Sequence, residues 1–220
     1  MRPPAILDER LRFPDPRAAE AGGLVAIGGD LSAARLRLAY RSGIFPWTVN
    51  PITWWSPDPR AIFELEKFHA PHSLAKFLRK QPFEITRDRA FRQVMEGCAE
   101  PVRGREQTWV TPAFIAAYTQ LHEHGDAHSV ECWRRGELVG GIYGVSGGGF
   151  FAGESMFHRA TNASKVALFH LVKHLQERRF ALFDIQMITP ATRQLGAVEI
   201  PRDVYLKRLK TAVEMNCAFV

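Results

Sequence analysis

Two acids and a carboxamide lie where this chain is otherwise most apolar. Residues 150–157 read FFAGESMF and residues 182–187 read LFDIQM, which places Glu154, Asp184 and Gln186 in stretches composed like buried strands. A carboxylate in such a setting is costly unless it is paired, hydrogen-bonded or used chemically. Strand residues point alternately to opposite faces. Unbroken alternation therefore puts Glu154 with Ala152 and Met156, and Asp184 beside Gln186. Such a group could receive a cation. An internal ion pair with a buried Arg or Lys would give the same pattern, and both readings stay open here.

Other chemistries fit less well. His170 and His174 are one helical turn apart, half of a zinc site, but no glutamate lies between them in metalloprotease spacing and the flank is basic. A solvent-facing stripe is expected there, and no metal. Ser155 lacks the following glycine of a hydrolase elbow. Cys98 and Cys132 have no base beside them in sequence, and His128 and Ser129, adjacent on a strand, point to opposite faces. The glycines between residues 140 and 149 match neither dinucleotide nor P-loop spacing, so no nucleotide cofactor is expected. Trp47, Trp54, Trp55 and Trp109 suit either core packing or stacking on nucleobases.

The elements that must hold these residues can be read from caps and periodicity. Residues 1–62 are rich in Pro, Gly and aromatics, with one helix expected from an N-cap at Ser32 to Arg41, and irregular, aromatic chain over 44–47 and 54–59. Beyond a boundary near residues 60–63, strands and helices alternate. A strand is expected at 83–86, a helix capped by Asp88 through Cys98, and a helix from Thr111-Pro112 to Gly125. Strands follow at 128–134, 137–145 and 150–157, joined by glycine-containing turns. A long helix over 162–179 places Val166, Phe169, Val172 and Leu175 on one face. A strand at 181–187, a loop, a short strand at 198–200 and a helix from Arg202 complete the chain. The pattern is α+β with a mixed β-sheet flanked by helices.

The 220 residues carry 29 basic and 23 acidic side chains, a net charge of +6 that favours a polyanionic partner such as RNA. Three scattered cysteines fit a reducing compartment, no signal-peptide core stands at the start, and no stretch is long and apolar enough to span a membrane. A cytoplasmic location follows as an expectation.

Nine short stretches, in order, carry a resemblance: GLVAIGGD (23–30), GIFPW (43–47), WWSPDPR (54–60), Thr108-Trp109, AHSVE (127–131), LVGGIYGV (138–145), GESMF (153–157), NASK (162–165) and Asp184-x-Gln186. Across nearly its whole length the chain resembles leucyl/phenylalanyl-tRNA–protein transferases. That resemblance implies a small N-terminal domain (1–62) and an N-acetyltransferase-like catalytic domain (63–220). It implies transfer of Leu or Phe, and less well Met, from aminoacyl-tRNA to proteins with N-terminal Arg or Lys, marking them for degradation by a monomeric enzyme without cofactor. Glu154 and Asp184 would supply the negative field for the acceptor. Gln186, oriented by Asp184, would accept a hydrogen bond from the attacking amine. Trp47 and Trp109 would hold the terminal adenosine, and Ile142, Phe151, Met156 and Phe183 would form an apolar slot for the donor side chain. The chain departs from the family pattern at Ala191 and Gln194, where His and Ser are usual, and at His158, where Ser is common. The competing classes are an acyl-coenzyme A N-acetyltransferase, which needs a pyrophosphate loop not seen here, and a non-catalytic RNA-binding module, which has no need of Asp184 beside Gln186.

Overall fold

A computed structural model describes residues 4–101 and 108–220. Near the start, β1 (Ala5–Leu7), β2 (Leu24–Gly28), α1 (Ala33–Arg41), β3 (Phe45–Val49) and β4 (Ile52–Trp55) follow one another. Their strands form a small sheet in the order β1-β2-β4-β3. Ser32 caps α1 by accepting the amide of Arg35, as its position before the apolar run requires. Residues 45–47 and 54–55, expected to be irregular, lie in strands β3 and β4. Pro46 is tolerated because β3 is an edge strand, where a missing amide donor breaks no ladder bond.

The chain then builds β5 (Arg60–Phe63), α2 (His72–Leu78), β6 (Glu84–Arg87), α3 (Phe91–Ala99), α4 (Pro112–Glu123), β7 (Ala127–Arg134), β8 (Glu137–Gly147) and β9 (Phe150–His158). It ends with α5 (Ala163–Glu177), β10 (Leu182–Gln186), α6 (Pro190–Gln194), β11 (Val198–Ile200) and α7 (Arg202–Ala212). Seven strands pair in the order β11-β5-β10-β9-β8-β7-β6, and β10 runs parallel to β9 in an otherwise antiparallel sheet. The expected mixed sheet flanked by helices is what forms.

One face of this sheet shares a core with the small sheet and with α1, α3, α4 and α7, through Trp54, Val94, Phe114, Tyr143 and Tyr205. The other face packs on α5 through Phe151, Val166, Leu171, Val172, Leu175 and Phe183. The boundary expected near residues 60–63 falls inside β5, which lies within the larger sheet between β11 and β10.

Three local expectations need correction. Asp88 does not cap α3, whose N-cap is Ala90; its carboxylate instead accepts the Ser129 amide at 2.8 Å and contacts His128 Nδ1 at 2.7 Å. His174 is no solvent-facing residue: it is buried, with Nε2 2.6 Å from the Phe219 carbonyl. The segment after β10, expected as a loop, contains α6, held by a reciprocal capping box between Thr189 and Thr192. Among the described residues no helix is long and apolar enough to cross a membrane.

Candidate active site

The site forms where the large sheet comes apart. Parallel pairing of β9 with β10 ends at Ala152 and Asp184. Past that point each strand carries a bulge against its other neighbour. On β9, Gly153 pairs with Gly144 and Ser155 with Tyr143, so Glu154 has no opposite residue. On β10, Asp184 pairs with Ile62 and Gln186 with Ala61, so Ile185 is the extra residue. Gln186 takes up the kink with a φ of 57°, a left-handed conformation uncommon outside glycine.

These bulges redistribute the side chains that alternation would have grouped. Ala152 stays in the first core, but Met156 packs against the second, so it does not share a face with Glu154. Glu154 is half-buried and meets Gln186 across the gap, Gln186 Nε2 donating to Glu154 Oε1 at 2.9 Å.

Asp184 has a different fate. It is fully buried, and Arg60 clamps it with two bonds of 2.8 and 2.7 Å, while Tyr205 donates its hydroxyl at 2.9 Å. Burial works against the Arg60 charge, but the adjoining Asp184 carboxylate raises its pKa overall. The expected negative field from two acids is therefore corrected to one. Asp184 is neutralised within the protein and keeps only the other part of its expected role, since its Oδ1 accepts the Gln186 backbone amide at 2.9 Å. Sequence reasoning missed Arg60 because it sits 124 residues away.

Glu154 is held differently. Burial, with the nearby Asp184 charge, pushes its pKa up to about 8, against the opposing pull of the Tyr40 hydroxyl, the Arg60 charge and the Tyr118 hydroxyl. Those two hydroxyls also hydrogen-bond each other. Both tyrosines are buried, with pKa values raised well above the ordinary range by that burial, so each remains a donor. Neither was singled out in the sequence. Tyr40 lies among the buried residues of α1 with Leu36 and Ala39, and nothing local distinguishes it from core.

Glu154, Ile185 and Gln186 line a 200 Å³ cavity together with Phe45, Pro46, Trp47, Trp109, Met187 and Thr189. Trp47 and Trp109 are thus brought to the same cavity as Glu154 and Gln186. Trp54 is fully buried and bonds the Gly28 carbonyl through its indole, so for it core packing is the whole account. The four residues expected to line an apolar slot are not among those lining this cavity. Ile142, Phe151 and Phe183 are buried in the second core, closed by aromatic contacts such as Phe151–Phe183 at 5.8 Å, and Met156 is partly buried against them. A larger groove of 550 Å³ beside β6 contains none of these residues.

For a metal, Asp88, His122 and His128 bring donor atoms within 4.8 Å of one another. They are already engaged: His122 Nδ1 lies 2.8 Å from the Ala127 carbonyl, and His128 is held between Asp88 and the Gly125 carbonyl. That cluster fits an internal brace better than an ion site.

The chain matches the family described as "Leucyl/phenylalanyl-tRNA protein transferase" over residues 62–210, and the corresponding N-terminal domain over residues 29–58. A leucyl/phenylalanyl-tRNA–protein transferase from Pseudoalteromonas atlantica is 49% identical over 212 residues, covering 94% of this chain and 91% of the relative. One from Syntrophobacter fumaroxidans is 52% identical over 206 residues, covering 92% and 88%. Among solved structures, a GCN5-related N-acetyltransferase from Sphaerobacter thermophilus is similar at 17% identity and a TM-score of 0.38, over 83% of this chain and 59% of that one. A likeness that weak leaves the architecture to rest on the strand order itself.

Proposed function

The chain belongs to the leucyl/phenylalanyl-tRNA–protein transferase family and is an aminoacyltransferase, and we propose that the 200 Å³ cavity is where the donor ester meets the acceptor amine. The observation that carries this reading is the Gln186–Glu154 bond at the strand split, in the same cavity as two tryptophans. Because Gln186 Nε2 donates to Glu154, its own carbonyl oxygen is left to accept from an incoming amine. Asp184, held by Arg60 and Tyr205, fixes the backbone from which Gln186 projects. Asp184 is then a positioning residue, whereas Glu154 and Gln186 touch the reacting groups.

Glu154 is matched to its task. An α-amine has a pKa of about 7.7–8.0, close to the value of about 8 reached by Glu154, so passing a proton between them costs little. The acceptor's ammonium gives one proton to the Glu154 carboxylate. The freed nitrogen lone pair bonds to the ester carbonyl carbon, and the carbon–oxygen bond to the ribose breaks. The second amine proton ends on the ribose oxygen, and the proton on Glu154 returns to water. The ester is already activated, so positioning supplies much of the rate.

Acceptors with N-terminal Arg or Lys fit the same site. Their positive charge favours ionisation of Glu154, the acid of the original pair that Arg60 does not bond. Trp47 and Trp109 would stack on the terminal adenosine. The donor side chain, Leu or Phe and less well Met, would enter the strand split past Ile185 toward Met156. Ile142, Phe151 and Phe183, one layer deeper, become contacts as that layer parts. The enzyme acts as a cytoplasmic monomer, in which residues 1–62 form a domain that brings Trp47 to the larger sheet.

The test is transfer of labelled leucine from charged tRNA to an Arg-initiated peptide. Glu154→Gln and Gln186→Ala should each lower the single-turnover rate by about 10²- to 10⁴-fold, the range for loss of a positioned proton acceptor. If both variants keep rates near the parent's, the reading is wrong.

A further inference from the structure

The segment after α7 crosses from one face of the large sheet to the other, around the turn that joins β8 to β9. The Gly149 amide donates to the Ala212 carbonyl at 2.7 Å. A Cβ at Gly148 would come within 2.7 Å of the Ala212 and Val213 carbonyl oxygens, and one at Gly149 within 2.7 Å of Met215 Sδ. Only a glycine turn lets this segment pass so closely. Beyond it Phe219 inserts into the second core, 2% exposed. Its ring stacks on His128 at 4.2 Å and on Phe151 at 5.5 Å, and its carbonyl accepts from His174 Nε2 at 2.6 Å.

From Phe219 a row of rings leads back to the site. Phe151 meets Phe183 edge-on at 5.8 Å, and Phe183 stacks on Phe63 at 5.5 Å. Phe183 lies directly under the residue that precedes Glu154, for a Cβ on Gly153 would fall 2.9 Å from its ring. Phe219 is thus two rings from the strand split. In a close-packed interior, the space behind Phe151 decides how far it and Phe183 can move back.

We propose that Phe219 is a specificity-determining positioning residue, acting through Phe151 and Phe183 to set the depth available to the donor side chain. This rests on the donor side chain entering toward those two residues. Removing the Phe219 ring leaves a void that the row relaxes into only in part. The slot then deepens, which favours a long, flat phenylalanyl side chain over a short, branched leucyl one. One methylene of misfit in an apolar pocket is worth about 10- to 200-fold, and a displacement relayed through two rings delivers a fraction of that.

The measurement is kcat/KM for leucyl- and phenylalanyl-tRNA with one acceptor peptide, in the full chain. Phe219→Ala should raise the phenylalanyl-to-leucyl ratio by about three- to tenfold, and Phe219→Leu, which refills part of the space, by less. A role in stability alone lowers both donors together, and an unchanged ratio in Phe219→Leu overturns the proposal even if Phe219→Ala does not fold. Phe183→Leu separates the two levels of argument. If it shifts the ratio and the Phe219 variants do not, only the relay fails; if none of the three shifts it, the donor-slot reading fails as well.

Discussion

Replacing Tyr40 by Phe tests the proton-accepting role of Glu154 without touching a reacting atom. Tyr40 is buried in the first core and its hydroxyl is the strongest influence lowering the Glu154 pKa. A hydrogen bond to a charged group contributes about 1.5–3 kcal/mol. At 1.36 kcal/mol per unit, its loss moves a pKa by about 1–2 units. The sign is upward, since the lost donor favoured the ionised form. Glu154 therefore moves from about 8 to roughly 9–10. At pH 7 the ionised fraction falls from about one tenth to about one hundredth or one thousandth. Transfer needing that carboxylate drops about 10- to 100-fold at pH 7 and recovers as pH rises through the new value. The assay is the pH dependence of kcat/KM, which reports groups of the free enzyme. The acceptor's own amine titrates identically in both proteins, so the difference belongs to Glu154. A Tyr40→Phe profile that superimposes on the parent's after scaling would refute the argument.

The ion pair and the aromatic wall give two more expectations. Arg60→Met leaves Asp184 buried and unpaired, a change costing about 3–5 kcal/mol. For a chain of this size that lowers the thermal midpoint by roughly 6–20 °C by calorimetry. Adding Asp184→Leu should restore part of the midpoint but not the transfer rate, because the Gln186 amide loses the oxygen that holds it; a double variant recovering both would show that Asp184 does not position Gln186. Trp47→Ala and Trp109→Ala should each weaken binding of charged tRNA by about 1–3 kcal/mol, with Phe at either position restoring much of it. Titration with tRNA lacking its terminal adenosine should show no difference between parent and variants, and an equal loss there would place the tryptophans' contact elsewhere.

Much of the framework is legible from caps and turns, and the misses have physical causes. Ser32 and Thr111-Pro112 announce α1 and α4 because a side-chain acceptor must meet the first free amides of a helix. Thr189-Pro190 carries the same signal for α6, yet a helix of five residues has no periodicity to support it. The strand at 45–49 is hidden by Pro46, whose cost depends on being at a sheet edge, which only the strand order reveals. Asp88 has the residue type of a cap, but the β7 amide of Ser129 competes for it successfully. His174 reads as polar surface until Phe219, 45 residues on, supplies its partner.

The candidate site is legible as composition and not as geometry. Glu154, Asp184, Gln186, Trp47 and Trp109 can all be named from the sequence, but the grouping of their side chains depends on two bulges. A one-residue offset sends every later side chain to the other face, and neither Glu154 nor Ile185 is a residue type that announces one. Had both strands stayed regular, Glu154 and Met156 would share a face, and Gln186 would sit beside the Arg60–Asp184 pair rather than reach across to Glu154. The bulges separate two acids that composition alone makes equivalent. Asp184, paired with Arg60 and Tyr205, is fixed and unavailable. Glu154, which Arg60 does not bond but whose ionisation the Arg60 charge and the Tyr40 and Tyr118 hydroxyls all favour, keeps a pKa of about 8, near that of the amine proposed to meet it. Moving an arginine to Glu154 would deepen its ionisation and make it a poorer base. The site therefore depends on Arg60 bonding Asp184 while acting on Glu154 only through its field.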